Sequence, residues 1–327
     1  MTLKKRKKMM MSNVLKNIIS SQGTCLIIPH QSPDGDCLGS SYTLSHFFER
    51  HQIKHHIIMD DVIPSNYTFL KKNNMLKSSD IKDDEKYDYA IILDTSSLDR
   101  IGASKSVLDK CASMIVIDHH KTNSFFGDTN IVEMVSSVGE LLFNLYTEID
   151  YVIDQEDAIG LYTSIVTDTG EFRYSNTTNK TLQVAAKLFE TGFDFESCSR
   201  EIFSNQPLEK VVLKSSSLSN IELYGNKQVA LMIVSQQMLK QHNCDMFHSD
   251  GIVEAGRDIS GIEVSVLLKE IDSNTVKVSM RSKSFLDVAE ISLVFNGGGH
   301  NRAAGCTINA PLKEAKQLII KEIESRL

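Results

Sequence analysis

The sequence predicts an α/β protein: a doubly wound, mainly parallel sheet, followed by a second, smaller α/β domain across a cleft. Three observations carry this expectation. The first half of the 327 residues alternates short apolar runs with helical patterns, as βαβ units do. Several of those apolar runs end in loops rich in aspartate and histidine, where an open parallel sheet places its ligands. After a polar, irregular stretch, a second series of apolar runs begins at Gln228.

Thr24–Pro29 (TCLIIP) reads as a buried strand, followed by a polar loop and a helix near Leu38–Arg50. His56–Met59 is a shorter strand, and Tyr87–Leu93 and Ser113–Ile117 are two more. Helices are expected over Ser137–Glu148, Gln155–Val166 and Lys180–Thr191, the last ended by Gly192. Phe193 to Asn226 suits a linker. The second domain then runs through strands at Gln228–Val234, Glu263–Leu268 and Thr275–Met280, a glycine-rich turn at Gly297–Gly299 and a helix at Leu312–Arg326. The domain expectation is therefore a basic tail over 1–13, a catalytic domain over 14–192, a linker over 193–226 and a substrate-binding domain over 227–327.

Composition narrows the function classes. A hydrophobic fraction of 41% and a charged fraction of 24% are ordinary for a soluble globular protein. No apolar stretch is long enough for a membrane span. The start, MTLKKRKK, is basic but is followed by residues too polar for a signal peptide; it reads as a flexible tail, or as a start placed ahead of Met11. Six cysteines lie far apart with no CxxC pair, which argues against a zinc ribbon or a disulfide scaffold and fits the cytoplasm. The net charge of −7 disfavours wrapping of long nucleic acid and favours small phosphorylated substrates.

The candidate site lies at the strand ends. The first strand leads into His30-Gln31-Ser32-Pro33-Asp34-Gly35-Asp36, the third ends at Asp94 and the fourth at Asp118-His119-His120; Asp168 follows a helix. Each element has a plain alternative. Pro-Asp-Gly is a common turn, a strand-end aspartate often caps a helix, and a histidine pair can be solvated, as His55-His56 is expected to be. Their coincidence at one sheet edge shifts the balance toward a site, because crowded carboxylates repel one another unless cations sit among them. Carboxylate and imidazole donors without thiolate suit manganese, then magnesium or iron, with zinc less well matched.

In the second domain, Gly297, Gly298 and Gly299 give a backbone able to bend and present N–H groups to an anion, beside His300. Arg281 and Ser282, at a strand end, offer a guanidinium fork and a hydroxyl suited to phosphate. A tight turn and a solvated arginine are the plain alternatives.

In order and spacing, His30-x-x-x-Asp34-x-Asp36, Asp94, Asp118-His119-His120 and Asp168 resemble the four motifs of the DHH phosphoesterase superfamily. Gly297 to Gly305 (GGGHNRAAG) resembles the signature of its DHHA1 partner domain. The resemblance covers nearly the whole chain from about Val14, and the length and domain pair look most like the NrnA-type oligoribonucleases. It implies two divalent ions, one held by His30, Asp34 and Asp94, the other by Asp36, Asp94, His119 and Asp168, with Asp94 as the bridge. It also implies that Asp118 orients the histidine pair, that His120 faces the substrate phosphate, and that Arg281 and the Gly297–His300 segment contact the nucleotide.

The expected activity is hydrolysis of short oligoribonucleotides to nucleoside monophosphates and of 3′-phosphoadenosine-5′-phosphate to AMP. A phosphodiesterase for cyclic di-AMP or pApA is the close rival, and a non-catalytic nucleotide-binding regulator the rival of another class. Expected partners are a short RNA or small nucleotide, with no long nucleic acid and no membrane; a homodimer is left open.

Overall fold

The computed structural model describes residues 13–327. The basic tail expected over 1–13 lies, apart from Asn13, outside them. Two compact units divide between Asn205 and Gln206.

Unit 1 opens with a helix over residues 13–21 (α1). There follow β1 (Cys25–Ile28), α2 (Gly35–Arg50), β2 (His55–Ile58), β3 (Met75–Leu76), β4 (Tyr87–Leu93), β5 (Cys111–Asp118), β6 (Thr129–Val132), α3 (Val138–Glu148), α4 (Gln155–Asp168) and α5 (Asn179–Phe189). The six strands form one sheet in the order β3-β2-β1-β4-β5-β6, and every pairing is parallel. Parallel strands bury both faces, which is why β1, Ala90–Leu93 of β4 and Met114–Ile117 of β5 are continuously apolar rather than alternating. Ile27, Ile57, Ile91 and Ile117 face α1–α4 in the main core. Their neighbours Leu26, Ile28, Ile58, Ile92 and Val116 face the opposite layer, with Ile101 and Val107 of the 3₁₀ segment Leu98–Lys110. The strand order reverses between β1 and β4, so a crevice opens beyond their carboxyl ends.

Some elements depart from expectation. The second helix begins at Gly35, not near Leu38, because the Asp34 carboxylate caps it by accepting the Cys37 N–H at 3.1 Å. The edge strands β3 and β6 were not anticipated. His55, expected to be solvated, is only 8% exposed. Its ring bonds to Ser45 Oγ at 2.7 Å and to Ile53 O at 2.9 Å, at the amino end of β2 and away from the carboxyl ends of the strands.

The stretch expected as a linker holds regular structure: α6 (Phe195–Ser199), a π turn at Arg200–Ser204, α7 (Leu208–Ser219) and β7 (Glu222–Tyr224). Unit 2 continues with β8 (Val229–Val234), α8 (Gln236–His242), α9 (Ile252–Arg257), β9 (Val264–Asp272), β10 (Thr275–Ser282), α10 (Val288–Val294), β11 (Gly298–His300), β12 (Ala303–Ile308) and α11 (Leu312–Glu324). Its mixed sheet runs β11-β12-β10-β9-β8-β7, with only β8 and β9 parallel. One face packs on α10 and α11, the other on α7, α8 and α9. The glycine-rich turn proves to be the edge strand β11, exposed along its length and paired only with β12.

Candidate functional site

The β1 and β4 ends bring His30 and Asp94 to the crevice, where both are buried at 4% and 3% exposure. His30 Nε2 lies 3.6 Å from Asp94 Oδ2 and 3.7 Å from Asp34 Oδ1. The other Asp94 oxygen, Oδ1, lies 3.5 Å from His119 Nε2. His119 Nε2 in turn stands 3.5 Å from Asp36 Oδ2 and 3.6 Å from Asp168 Oδ2. The two oxygens of Asp94 therefore face two separate imidazole–carboxylate groups. Asp94 reaches this position with φ 56°, a left-handed conformation that few non-glycine residues adopt.

Secondary contacts aim each donor. His30 Nδ1 donates to Gln31 O at 2.9 Å and His119 Nδ1 to Val135 O at 3.2 Å. A carbonyl can only accept, so each Nδ1 carries the proton and each Nε2 turns toward the carboxylates. Asp36, in the first turn of α2, accepts the Val138 and Gly139 N–H groups at the α3 N-terminus and the Ser164 hydroxyl of α4. Asp168, at the end of α4, accepts from Asn176 Nδ2 at 3.3 Å. Asp118 is fully buried; its Oδ1 takes the His120 Nδ1–H at 2.7 Å and its Oδ2 the Asn123 amide at 2.6 Å. His120 is 23% exposed against 8% for His119, so it is the member of the pair that reaches solvent.

These residues fit divalent cations. Separations of 3.5–3.7 Å are long for hydrogen bonds. Two donor atoms each about 2.1 Å from one cation, at an angle of roughly 110°, sit about 3.4 Å apart. Asp94 Oδ1 is buried with no hydrogen-bond partner among the described residues, a costly state unless a cation faces it. Protonation patterns agree. Burial lowers a histidine pKa, yet at His119 the carboxylates of Asp94, Asp168 and Asp36 outweigh it and hold the ring well above its usual value. His30 is raised in the same way against burial, by Cys37, Asp34 and Asp94. Burial, together with Asp94 and Asp34, pushes Asp168 up to about 7. A proton thus takes the place that a cation would fill.

Cys37 also lies near His30 and Asp94. Burial pushes its thiol up to about 11, and its Sγ accepts the His30 N–H at 3.2 Å, which makes it packing rather than a thiolate ligand. A further group, His46, Asp154 and Asp157, is accounted for as the α4 cap and its ion pair with Arg50.

In unit 2, Arg281 donates through Nε to Glu254 at 3.0 Å and through Nη1 to Met280 O at 3.0 Å. Half of the expected guanidinium fork is thereby used, and Nη2 is the remaining arm. Ser282, expected to meet substrate, is 2% exposed and donates to Asn301 O at 3.2 Å, so its hydroxyl anchors the loop after His300 instead. Gly297 and Gly299 are required by space: a Cβ would strike Gly305 O and Ser292 Oγ at the first, and Ala303 O at the second, where φ is 143°. Gly298 faces open space, and His300 is exposed beside it. Lys269 and Lys277 stand directly opposite one another on β9 and β10, adding positive charge to the Arg281 neighbourhood.

Sequence reasoning missed Ser164, Asn123 and Asn176. The spacing of Ser164 and Asp168, one helical turn apart, is the signal that could have found the first.

The family model described as the DHH family, N-terminal domain, matches residues 24–190, and that of the DHHA1 domain matches residues 226–327. The chain is 28% identical over 304 residues to the bifunctional oligoribonuclease and PAP phosphatase NrnA of Bacillus subtilis, covering 91% of this chain and 93% of that protein. It is 28% identical over 289 residues to the probable bifunctional oligoribonuclease and PAP phosphatase NrnA of Streptococcus mutans, covering 88% and 90%. Among solved structures, an exopolyphosphatase-related protein from Bacteroides fragilis is similar with a TM-score of 0.87 and 25% identity, covering 96% of this chain and 95% of that one.

Proposed function

The chain belongs to the DHH family, and from that premise we propose that it is a metal-dependent phosphoesterase of short oligoribonucleotides and of 3′-phosphoadenosine-5′-phosphate. The observation that carries the reading is Asp94, a buried carboxylate whose two oxygens address two imidazole–carboxylate groups. Unit 1, up to Asn205, would be the catalytic domain and unit 2, from Gln206, the substrate domain, so the stretch 193–226 expected as a linker is divided between the two. His30, Asp34 and Asp94 would hold one divalent ion, and Asp36, Asp94, His119 and Asp168 the other, manganese being the best match to the donors. Six unpaired cysteines favour a reducing compartment, the cytoplasm.

When bound, the two cations acidify a water and neutralise charge on phosphoryl oxygens. The chain's own residues do the rest. Asp118 and Asp94 overcome the effect of burial and keep His120 above the usual imidazole value. The partly exposed His120 faces a phosphoryl oxygen and stabilises the charge that gathers there. Asn123 locks Asp118, donating to it and to Thr95 O, so the imidazole cannot swing away. In unit 2, Arg281 Nη2, His300 and the exposed backbone of β11 offer donors suited to a nucleotide phosphate.

The decisive experiment offers the purified protein, with Mn²⁺, 3′-phosphoadenosine-5′-phosphate, pApA, cyclic di-AMP, a long RNA and pyrophosphate side by side. Release of AMP from the first two, fastest of the set, is the expected result. Turnover of pyrophosphate alone, or nucleotide binding without turnover, would overturn the assignment.

A further inference from the structure

The segment joining β10 to α10 is pinned more tightly than a surface turn requires. Glu263, itself 4% exposed, accepts the N–H groups of Ser284, Phe285 and Leu286 and the Ser284 hydroxyl. From the other side, Arg302 donates to Leu286 O at 2.8 Å and to Ser284 O. Lys283 Nζ donates to Ile259 O at 2.8 Å, and the Val288 N–H to Asn301 O at 3.0 Å. The loop is thereby tied to Asn301 and Arg302, the two residues that follow His300, and it begins one residue after Ser282, the neighbour of Arg281. At its apex the Phe285 side chain stands 59% exposed.

Single exposed apolar residues are common and need no explanation. This one differs in its setting: an aromatic ring on a backbone fixed by a buried carboxylate and an arginine, within the loop cluster that carries the phosphate contacts. Ordering cost is met in advance by the fold, which is what a stacking platform needs. We propose that Phe285 is a base-stacking residue, a specificity determinant that selects substrates bearing a nucleobase over bare phosphates. The inference rests on the reading that this unit takes a nucleotide. An aromatic ring accepts any base by its face, so the preference is for nucleotides as a class rather than for one base.

The chain has no tryptophan, which gives a direct test. In Phe285→Trp the new indole is the sole tryptophan, and AMP added in magnesium buffer should quench its fluorescence saturably. Ribose 5-phosphate, with the same phosphate and no base, should leave it unchanged, as should AMP with Val152→Trp, an exposed position in unit 1. In parallel, Phe285→Ala should raise KM for 3′-phosphoadenosine-5′-phosphate about tenfold with kcat kept, the scale of one lost stacking contact. Calorimetry of AMP binding to the Phe285→Trp protein separates the failures. Binding with unchanged indole fluorescence would overturn this inference alone, whereas absence of AMP binding would overturn it together with the proposed function.

Discussion

Asp94 occupies a left-handed conformation that costs a non-glycine residue about 1–3 kcal/mol, and its Oδ1 is buried without a hydrogen-bond partner among the described residues. Replacing it by glycine separates strain from function. Asp94→Gly should lose activity by on the order of 10³-fold and bind less metal, while under chelator the relieved strain should offset part of the stability lost with the carboxylate that faces His30 and His119. Parent-like turnover would end the shared-carboxylate reading. The histidine pairs give a second contrast. His119→Ala should lower metal content by elemental analysis. His55→Ala should leave it intact but cost about 1–2 kcal/mol in denaturant melts, because Ser45 and Asn74 lose a buried partner. The pH response of metal-free protein follows from the same cluster. Asp168 rises to about 7 in the fold, from burial first and then Asp94 and Asp34, against about 4 when unfolded. A raised pKa contributes stability that is complete below the unfolded value and lost as pH climbs through the folded one. His30 and His119, raised against their burial, act in the same direction at higher pH. Under chelator, Tm should therefore fall between pH 5 and pH 8, and the gain from added Mn²⁺ should grow over that interval, since the ion displaces these protons. A Tm in chelator that rises across the interval would contradict the cluster. The proposed ligands were legible because each stands at a strand end, in the loop and first helical turn after β1 or, for Asp168, at a helix end. Ser164, Asn123 and Asn176 were not, because their meaning lies in partners such as Asp36, 128 positions away from Ser164 in sequence.

Helices α2, α3 and α4 meet through small residues, and that packing sets the spacing of the carboxylates around His119. A Cβ on Gly39 would strike Gly160 O and Ser164 N, and one on Gly139 would strike Ser164 Oγ. Asp36 rides on α2 and Asp168 on α4, so a wider helix pair would draw apart the donors that now share His119. Gly39→Ala should destabilise the protein by about 1–3 kcal/mol through overpacking. It should also weaken metal binding more than a buried substitution far from the cluster, such as Ile319→Val in α11, measured by metal titration beside the melt. Equal metal affinity in both variants would show that the helix spacing does not govern the site. Legibility at this scale follows length and burial. In β4 the run Tyr89–Leu93 is continuously apolar, and the strand's bounds match the sequence expectation residue for residue. Two missed strands are short and at sheet edges, Met75–Leu76 with two residues and Gly298–His300 with three, too few for any period to register. The interior strand β12 was missed because Ala303, Ala304 and Gly305 open it with small side chains of weak strand preference. Residues 193–226 read as irregular because α7 buries little beyond Leu213 and Ser217, leaving polar residues over most of its length.

Across the whole molecule, charge and the distribution of donors bear on one outcome, substrate length. The chain carries a net charge of −7, while Arg281, Lys269 and Lys277 gather on adjacent strands of unit 2. Lys269 is held below the usual lysine range by burial, with Lys277 and Arg281 adding to it against Asp250 and Glu254. Such a patch attracts the first few phosphates of a strand, whereas phosphates beyond it meet a protein of like charge overall. The rate per RNA end should be highest for chains of two to about five nucleotides and fall for longer ones, as local attraction gives way to net repulsion. Arg281→Ala should lower kcat/KM by about tenfold to a hundredfold and flatten the length profile, since it removes one charged phosphate contact. Metal content should stay at the parent level, because every proposed ligand lies in unit 1. A time course with 5′-labelled RNAs of increasing length at fixed salt reads both quantities. If a 24-nucleotide RNA is consumed at the dinucleotide rate, the cationic patch extends further than these three residues, and the short-substrate assignment fails while the phosphoesterase chemistry stands.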